Sequence, residues 1–425
     1  MSGDQPAAGP ERPRPPGPLT VIKQAYKDGF GKDVQETPTV SYVWMADQFG
    51  HFTLGFAITF VFSWIAVWLW YGTRPQPEWL MVACAAANMA IWVAKEIRDY
   101  FREQENFTRA HTPPQGLGQF PFNGKEIIWN VITALFYILT GAAVAGAVGF
   151  GPQWGVVTLI VVLIPAVLLG GWWLRRKITF QQAGLPYLYR LANFPNPVVP
   201  AVGQEGDAVR VILDFIEPGK VAQTPGAPRH LILTGPLGTG KSSLAAGIGT
   251  EFAFRMGIGR YISLVKLLQS VERARRMPSF GPPGAGRKYA SPAAAAAAEM
   301  PPAQRGGELT NPGQQEFDEG RILWPWDLSD LLIIDDVDDV IGNDPHGQPE
   351  GLRHQHRGED IEHVMREYYP ELIVRLRQVP QTVWVLSDRI SCGAFQRLLA
   401  KILGIAPEAV FAVAIKPGPP PGPAN

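Results

Sequence analysis

Four apolar stretches in the first half of the chain limit what it can fold into. They run from about His51 to Tyr71, from Trp79 to Ala94, from Ile127 to about Phe150, and from about Trp154 to Leu174. A helix needs ~20 mostly apolar residues to cross a bilayer core. Three stretches are close to that length. The second is the shortest, and a buried or interfacial helix is its alternative reading. Composition points the same way, with charged residues at 18% and 13 tryptophans. Low charge and many Trp suit a membrane region. Trp64, Trp68, Trp70, Trp79, Trp129, Trp154, Trp172 and Trp173 mostly sit toward segment ends, as in an aromatic belt.

The placement of Lys and Arg gives these spans a direction. Lys23, Lys27 and Lys32 precede the first. Lys95, Arg98, Arg102, Arg109 and Lys125 lie between the second and third, and Arg175, Arg176 and Lys177 follow the fourth. The short loops after the first and third carry only Arg74. The positive-inside rule then assigns both termini and the middle loop to the cytoplasm of an inner or plasma membrane. Away from their ends the spans hold no ionisable residue. Asn88, Asn130, Thr133 and Thr140 are their polar exceptions, and Pro165 marks a possible kink. Gly141, Ala145 and Gly149 recur at i, i+4, a spacing that suits close helix packing. We read the spans as an anchor or assembly surface, with a conduit as the alternative.

The remaining segments divide by composition. Residues 1–48 form a Pro-rich N-terminal segment without the apolar core of a secretory signal. The membrane region takes residues 49–176, and 177–206 form a connector rich in Pro and aromatics (LPYLYRLANFPNPVVP). Residues 207–416 alternate apolar strands with helical patterns, and 417–425 are a Pro/Gly tail. Continuous apolar strands alternating with helices predict a five-stranded parallel sheet covered on both faces. Strands are expected at about Leu231–Thr234, Tyr261–Val265, Leu331–Ile334, Thr382–Leu386 and Val410–Ile415.

The first of these strands runs into GPLGTGKS, Gly235 to Ser242. This is the G-x-x-x-x-G-K-[ST] spacing of a phosphate loop. Gly235, Gly238 and Gly240 would let the loop's backbone N–H groups turn toward phosphates, with Pro236, Leu237 and Thr239 completing the loop. Lys241 would supply a point charge to the β/γ-phosphates, Ser242 its hydroxyl to Mg²⁺, and Ser243 completes the binding set. The helix starting at Lys241 aims its positive end at the same anion.

The segment LLIIDDVDD adds carboxylates at the end of another strand. Asp335 is the expected Mg²⁺ partner, through water together with Ser242, and Asp336 the group that polarises an attacking water. Asp338 and Asp339 are expected to face solvent. Ser387 and Asp388 end the fourth strand, poised toward the γ-phosphate or that water. No guanine-reading N-K-x-D or T-K-x-D segment is present, which favours ATP over GTP.

The stretches LILTGPLGTGKSSLAAGIGTEFAFRMGIGRYISLVKLL, DLLIIDD and VWVLSDR together resemble the AAA+ ATPases of the DnaC helicase-loader and IstB transposition-helper branch. The resemblance covers roughly residues 207–415 and implies ATP hydrolysis between neighbouring subunits of a homo-oligomer. It implies a sensor role for Ser387 and Asp388. It also implies that an arginine of the following helix completes a neighbour's site, with Arg397 the best match and Arg389 the second. Asp336 stands where many such proteins have Glu, and no room is left for a C-terminal helical lid. The function it implies is a membrane-anchored ATPase that remodels or controls a membrane-proximal protein partner. A nucleotide-gated scaffold with little turnover and an ATP-driven transport component are the alternatives.

Three further features fall outside that pattern. Equal numbers of basic and acidic residues, 38 each, argue against nucleic acid as the main partner. A low-complexity insert at 272–326 carries Arg273, Arg275, Arg276, Arg287 and Lys288, read as a solvated basic loop with anionic lipid or nucleic acid as its alternatives. His346, His354, His356 and His363 cluster without a patterned metal motif and read as part of a polar loop. The two cysteines, Cys84 and Cys392, imply neither a disulfide framework nor a Cys-based zinc site.

Overall fold

The computed structural model describes residues 14–30, 39–71, 77–111, 119–122, 124–276, 325–337, 365–366, 369–387 and 391–417. They divide into two compact units, Pro16–Ile178 and a second beginning at Thr179. The histidine cluster, Asp338, Asp339, Asp388, Arg389 and most of the insert lie outside the described residues.

The first unit is helical: α1 (Pro18–Phe30), α2 (Val40–Ala66, extended by a π turn Val67–Tyr71), α3 (Trp79–His111), α4 (Gly124–Val148) and α5 (Pro152–Gln182), whose last turn belongs to the second unit. Helices α2 to α5 are each long and apolar enough to cross a membrane. For α3 the apolar run ends near Ala94, yet the helix continues, because no Gly or Pro interrupts it before His111. Its charged half carries the i, i+4 pairs Lys95–Asp99 (3.1 Å) and Arg109–Glu105 (2.5 Å).

Helices α2 and α4 meet backbone to backbone. A Cβ at Gly55 would stand 1.9 Å from the Ile138 carbonyl oxygen, and one at Gly141 2.0 Å from that of Phe52. Gly149 meets α3 instead, where a Cβ would lie 2.5 Å from that of Met81. The small-residue face of α4 thus serves two neighbours. Buried Asn88 reaches across to α2, donating to the Gly55 carbonyl (2.8 Å) and the Thr59 hydroxyl (3.0 Å). Trp173 Nε1 donates to Thr133 Oγ1 (2.6 Å), tying α5 to α4. Ile160, Val161, Ile164, Val167 and Leu168 of α5 are exposed, as a lipid-facing surface requires.

The second unit is built on a sheet. In chain order it has β1 (Val198–Pro200), α6 (Ala208–Phe215), α7 (Lys220–Gln223), β2 (His230–Thr234), α8 (Lys241–Phe254), β3 (Gly259–Ser263), α9 (Leu264–Arg276), β4 (Leu331–Asp335), α10 (Pro370–Leu376), β5 (Gln381–Val385), α11 (Cys392–Leu403) and β6 (Val410–Ile415). The sheet order is β1-β6-β2-β5-β4-β3. Strands β6, β2, β5, β4 and β3 are parallel, and β1 joins β6 antiparallel, with Val198 opposite Ile415.

This corrects the expected five-stranded, all-parallel sheet: it is mixed and six-stranded. The extra strand comes from the connector. Its prolines are tolerated because β1 is an edge strand, where a missing N–H costs no ladder bond on the outer side. The second expected strand also shifts, to Gly259–Ser263, because the chain turns directly into α9 at Leu264. Pro370 opens α10, standing at its first position where no N–H is needed.

Both faces of the sheet are covered. Leu231, Ile232, Leu233, Leu332 and Trp384 are buried, and so is α8 through Leu244, Ile248 and Phe252. Each such side chain contributes roughly 1.5–3 kcal/mol on leaving water. The buried carboxylate of Glu251 is compensated from two sides, by Arg190 (2.7 Å) and Arg255 (2.8 Å), and Arg255 also reaches Glu217 (2.9 Å).

Two measurements check this packing. Gly141→Val should lower the thermal stability of the detergent-solubilised protein by about 1–3 kcal/mol, as overpacking does; an unshifted melting temperature contradicts the α2–α4 contact. His230 is buried against Thr382 Oγ1 (2.8 Å), and burial, then the Arg229 charge, pushes its ring from 6.5 down to about 4. Between those values the unfolded chain binds a proton that the folded chain refuses. Stability is therefore full above pH 6.5 and falls toward pH 4, by on the order of 3 kcal/mol from this group. His230→Gln should flatten that part of the melting temperature against pH curve relative to the parent.

Candidate functional site

Parallel pairing brings three turns to one edge of the sheet. Leu233 of β2 is in register with Val385 of β5, and Trp384 of β5 with Ile334 of β4. Gly235, Ser387 and the pair Asp335–Asp336 therefore leave the sheet side by side at its C-terminal edge.

The loop between β2 and α8 depends on its glycines. Gly235, Gly238 and Gly240 have φ of +156°, +82° and +82°, values that side-chain-bearing residues rarely adopt. A Cβ at Gly235 would also lie 2.6 Å from the Ile415 carbonyl oxygen, so the end of β6 presses on the loop. Pro236, Leu237 and Gly238 are exposed, Leu237 at 91%. Thr239 is buried and its hydroxyl donates to the Pro236 carbonyl (2.8 Å), closing the turn. Lys241 Nζ donates to the carbonyl oxygens of Gly235 (2.8 Å) and Pro236 (2.9 Å). Its charge thus lies over the loop, at the N-terminus of α8, where the helix dipole also favours an anion. Ser242 is half-buried in the first turn of α8.

The connector braces this loop through Tyr187, Phe194 and Asn196, residues that sequence reasoning did not single out. Phe194 is buried with its ring 3.2 Å from where a Gly240 Cβ would stand. Asn196 Nδ2 donates to the Thr239 carbonyl (2.7 Å), and the Tyr187 hydroxyl is bonded to Ser243 Oγ (2.9 Å). The available signal was the density of aromatics and the Asn-Pro step between 185 and 200.

The carboxylates differ in setting. Asp335 is buried. One of its oxygens accepts from the Asp336 N–H (2.8 Å), the other from the Tyr261 hydroxyl. Tyr261 is opposite Ile333 across β3 and β4, so Asp335, two residues further, shares its face. Burial first, and then the Asp335 charge, raises the Tyr261 phenol far above its ordinary value, keeping it a donor. Asp336 is exposed with φ +53°, a left-handed turn that Asp tolerates. The turn sends the two carboxylates different ways, one held within the sheet edge and one toward solvent.

Ser387 is half-buried at the end of β5, between the loop strand and the acid-ended strand. Arg397 is exposed on α11, whose Phe395, Leu399 and Leu403 are buried. The structure thus gathers 235–243, Asp335, Asp336 and Ser387 at one edge, with Arg397 on a separate helical surface. The hydroxyl of Ser242 and the carboxylate of Asp335 are hard oxygen donors, of the kind that suits Mg²⁺.

Compared with known proteins, the chain matches no family model and no curated relative. Its functional reading rests on its own residues.

The Tyr261–Asp335 bond has a measurable weight. Tyr261→Phe should cost about 1.5–3 kcal/mol of stability, the usual loss for a hydrogen bond to a charged group. A variant that melts like the parent would contradict it.

Proposed function

We propose that this protein is a membrane-anchored ATPase that resembles the AAA+ helicase-loader branch. It forms homo-oligomers and uses ATP and Mg²⁺ to remodel or control a membrane-proximal protein partner. The observation that carries the reading is the glycine loop capping α8, with the Lys241 ammonium over it, at the same sheet edge as Asp335.

In this reading the loop N–H groups from Gly235 to Ser243 receive the phosphates, and Lys241 leaves the Gly235 and Pro236 carbonyls for phosphate oxygens. Ser242 and, through water, Asp335 would hold Mg²⁺, which when bound neutralises charge on the phosphates. Asp336 orients a water and draws its proton as the water oxygen bonds to the γ-phosphorus and the bond to the ADP oxygen breaks. Ser387, with Asp388, senses the γ-phosphate from the strand between loop and acids. Arg397 of a neighbouring subunit, or Arg389, stabilises the charge on the transferring group.

The placement of Lys and Arg supports a cytoplasmic ATPase domain, with both termini on the same side of an inner or plasma membrane. A second reading, a nucleotide-gated scaffold with slow turnover, draws on Asp336. It is shorter than the Glu common in this position, and its backbone is fixed by the left-handed turn and the N–H bond to Asp335.

The test uses the full-length protein in detergent or vesicles. Lys241→Ala should lose nucleotide binding and turnover together. Asp336→Asn should keep binding and lose roughly 10²–10⁴-fold in turnover, the usual contribution of a positioned base. Unchanged turnover in both variants would overturn the ATPase reading. Tight binding with negligible turnover in the parent would favour the scaffold.

A further inference from the structure

Helix α1 has its polar and apolar faces the wrong way round for a helix bathed in water. Val21, Gln24 and Asp28, at i, i+3 and i+7, are buried. Gln24 Nε2 donates to Asp28 Oδ1 (2.8 Å), and the other Asp28 oxygen accepts from the Ser41 hydroxyl. Ser41 lies in the first turn of α2, beside the N-cap residue Thr39, whose hydroxyl oxygen is 3.2 Å from Ser41 Oγ and accepts from the Tyr42 N–H (3.3 Å). Polar contacts therefore fasten α1 to the very start of the first membrane-crossing helix.

The opposite face is apolar and largely exposed. Leu19, Ile22 and Tyr26, again at i, i+3 and i+7, are 74%, 64% and 67% exposed. Lys23 and Lys27 are exposed on the flank of the same face. An aqueous helix would bury that apolar strip. An apolar strip edged with lysines, held at the end of a span, matches a helix lying in a bilayer interface. Two cationic side chains at that depth complement anionic headgroups.

We infer that α1 is an interfacial helix that binds anionic lipid. Leu19, Ile22 and Tyr26 enter the boundary between headgroups and acyl chains, and Lys23 and Lys27 pair with lipid phosphates. The partner is the bilayer that α2 to α5 cross, and the inference stands independently of any nucleotide chemistry.

The experiment uses the full chain with Cys84→Ala and Cys392→Ala, carrying a spin label at Ile22→Cys or, as a second site, at Leu19→Cys. Each is reconstituted in vesicles of phosphatidylcholine, with or without phosphatidylglycerol. Collisions with oxygen should exceed those with a water-soluble nickel chelate at both sites. The excess should grow with phosphatidylglycerol, and Lys23→Gln with Lys27→Gln should remove that growth. Dominant nickel collisions in both lipids would overturn the inference by putting the face in water. Protection from both reagents would overturn it in favour of a protein contact. An excess unaffected by phosphatidylglycerol would overturn the anionic-lipid assignment.

Discussion

Parallel pairing of β2, β5 and β4 is the constraint on which the candidate site depends. Parallel neighbours run in the same direction, so their C-terminal turns open on one edge, and each return crossing must pass over a face of the sheet. That brings Gly235, Ser387 and Asp335 into one row, although they are far apart in sequence. It also makes α8 the first crossing after the glycine loop and buries it nearly throughout. The loop is therefore the N-terminus of a helix that cannot move without disturbing the core. A one-residue slip between β4 and β5 would turn Asp335 to the other face and dissolve the row.

Polar groups that had to be buried are compensated locally. Glu251 sits within α8 with guanidinium groups on two sides, one from the connector and one from its own helix. Asp335 spends its two oxygens on Tyr261 and the Asp336 N–H. Breaking a buried ion pair such as that of Glu251 by removing one partner is strongly destabilising, typically by about 3–5 kcal/mol. The connector residues Arg190, Phe194 and Asn196 thereby become part of the domain that follows them. In the helical unit, Gly55 and Gly141 let backbones touch where lipid offers no hydrophobic drive for association.

The elements legible in the sequence were those whose signal is local. Gly235 to Ser242 declares itself because glycine spacing and a following helix are written in consecutive residues. The four helices long and apolar enough to cross a membrane follow from apolar length, and the strands at 331–335 and 410–415 from unbroken apolar runs. What escaped was set by register and by edges. Val198–Pro200 pairs only because β6 has a free outer edge, and its proline hides it from a strand pattern. The hold of Tyr261 on Asp335 follows from the alignment of β3 with β4, which no single segment encodes. The inverted faces of α1 likewise appear only once Ser41 is seen to take Asp28.

The most direct measurement is a calorimetric titration of the detergent-solubilised full chain with a non-hydrolysable ATP analogue, in Mg²⁺ and again in a chelator. A site formed by the Gly235–Ser242 loop with Ser242 and Asp335 as metal partners predicts saturable binding that weakens when Mg²⁺ is removed. No binding in either condition would contradict it.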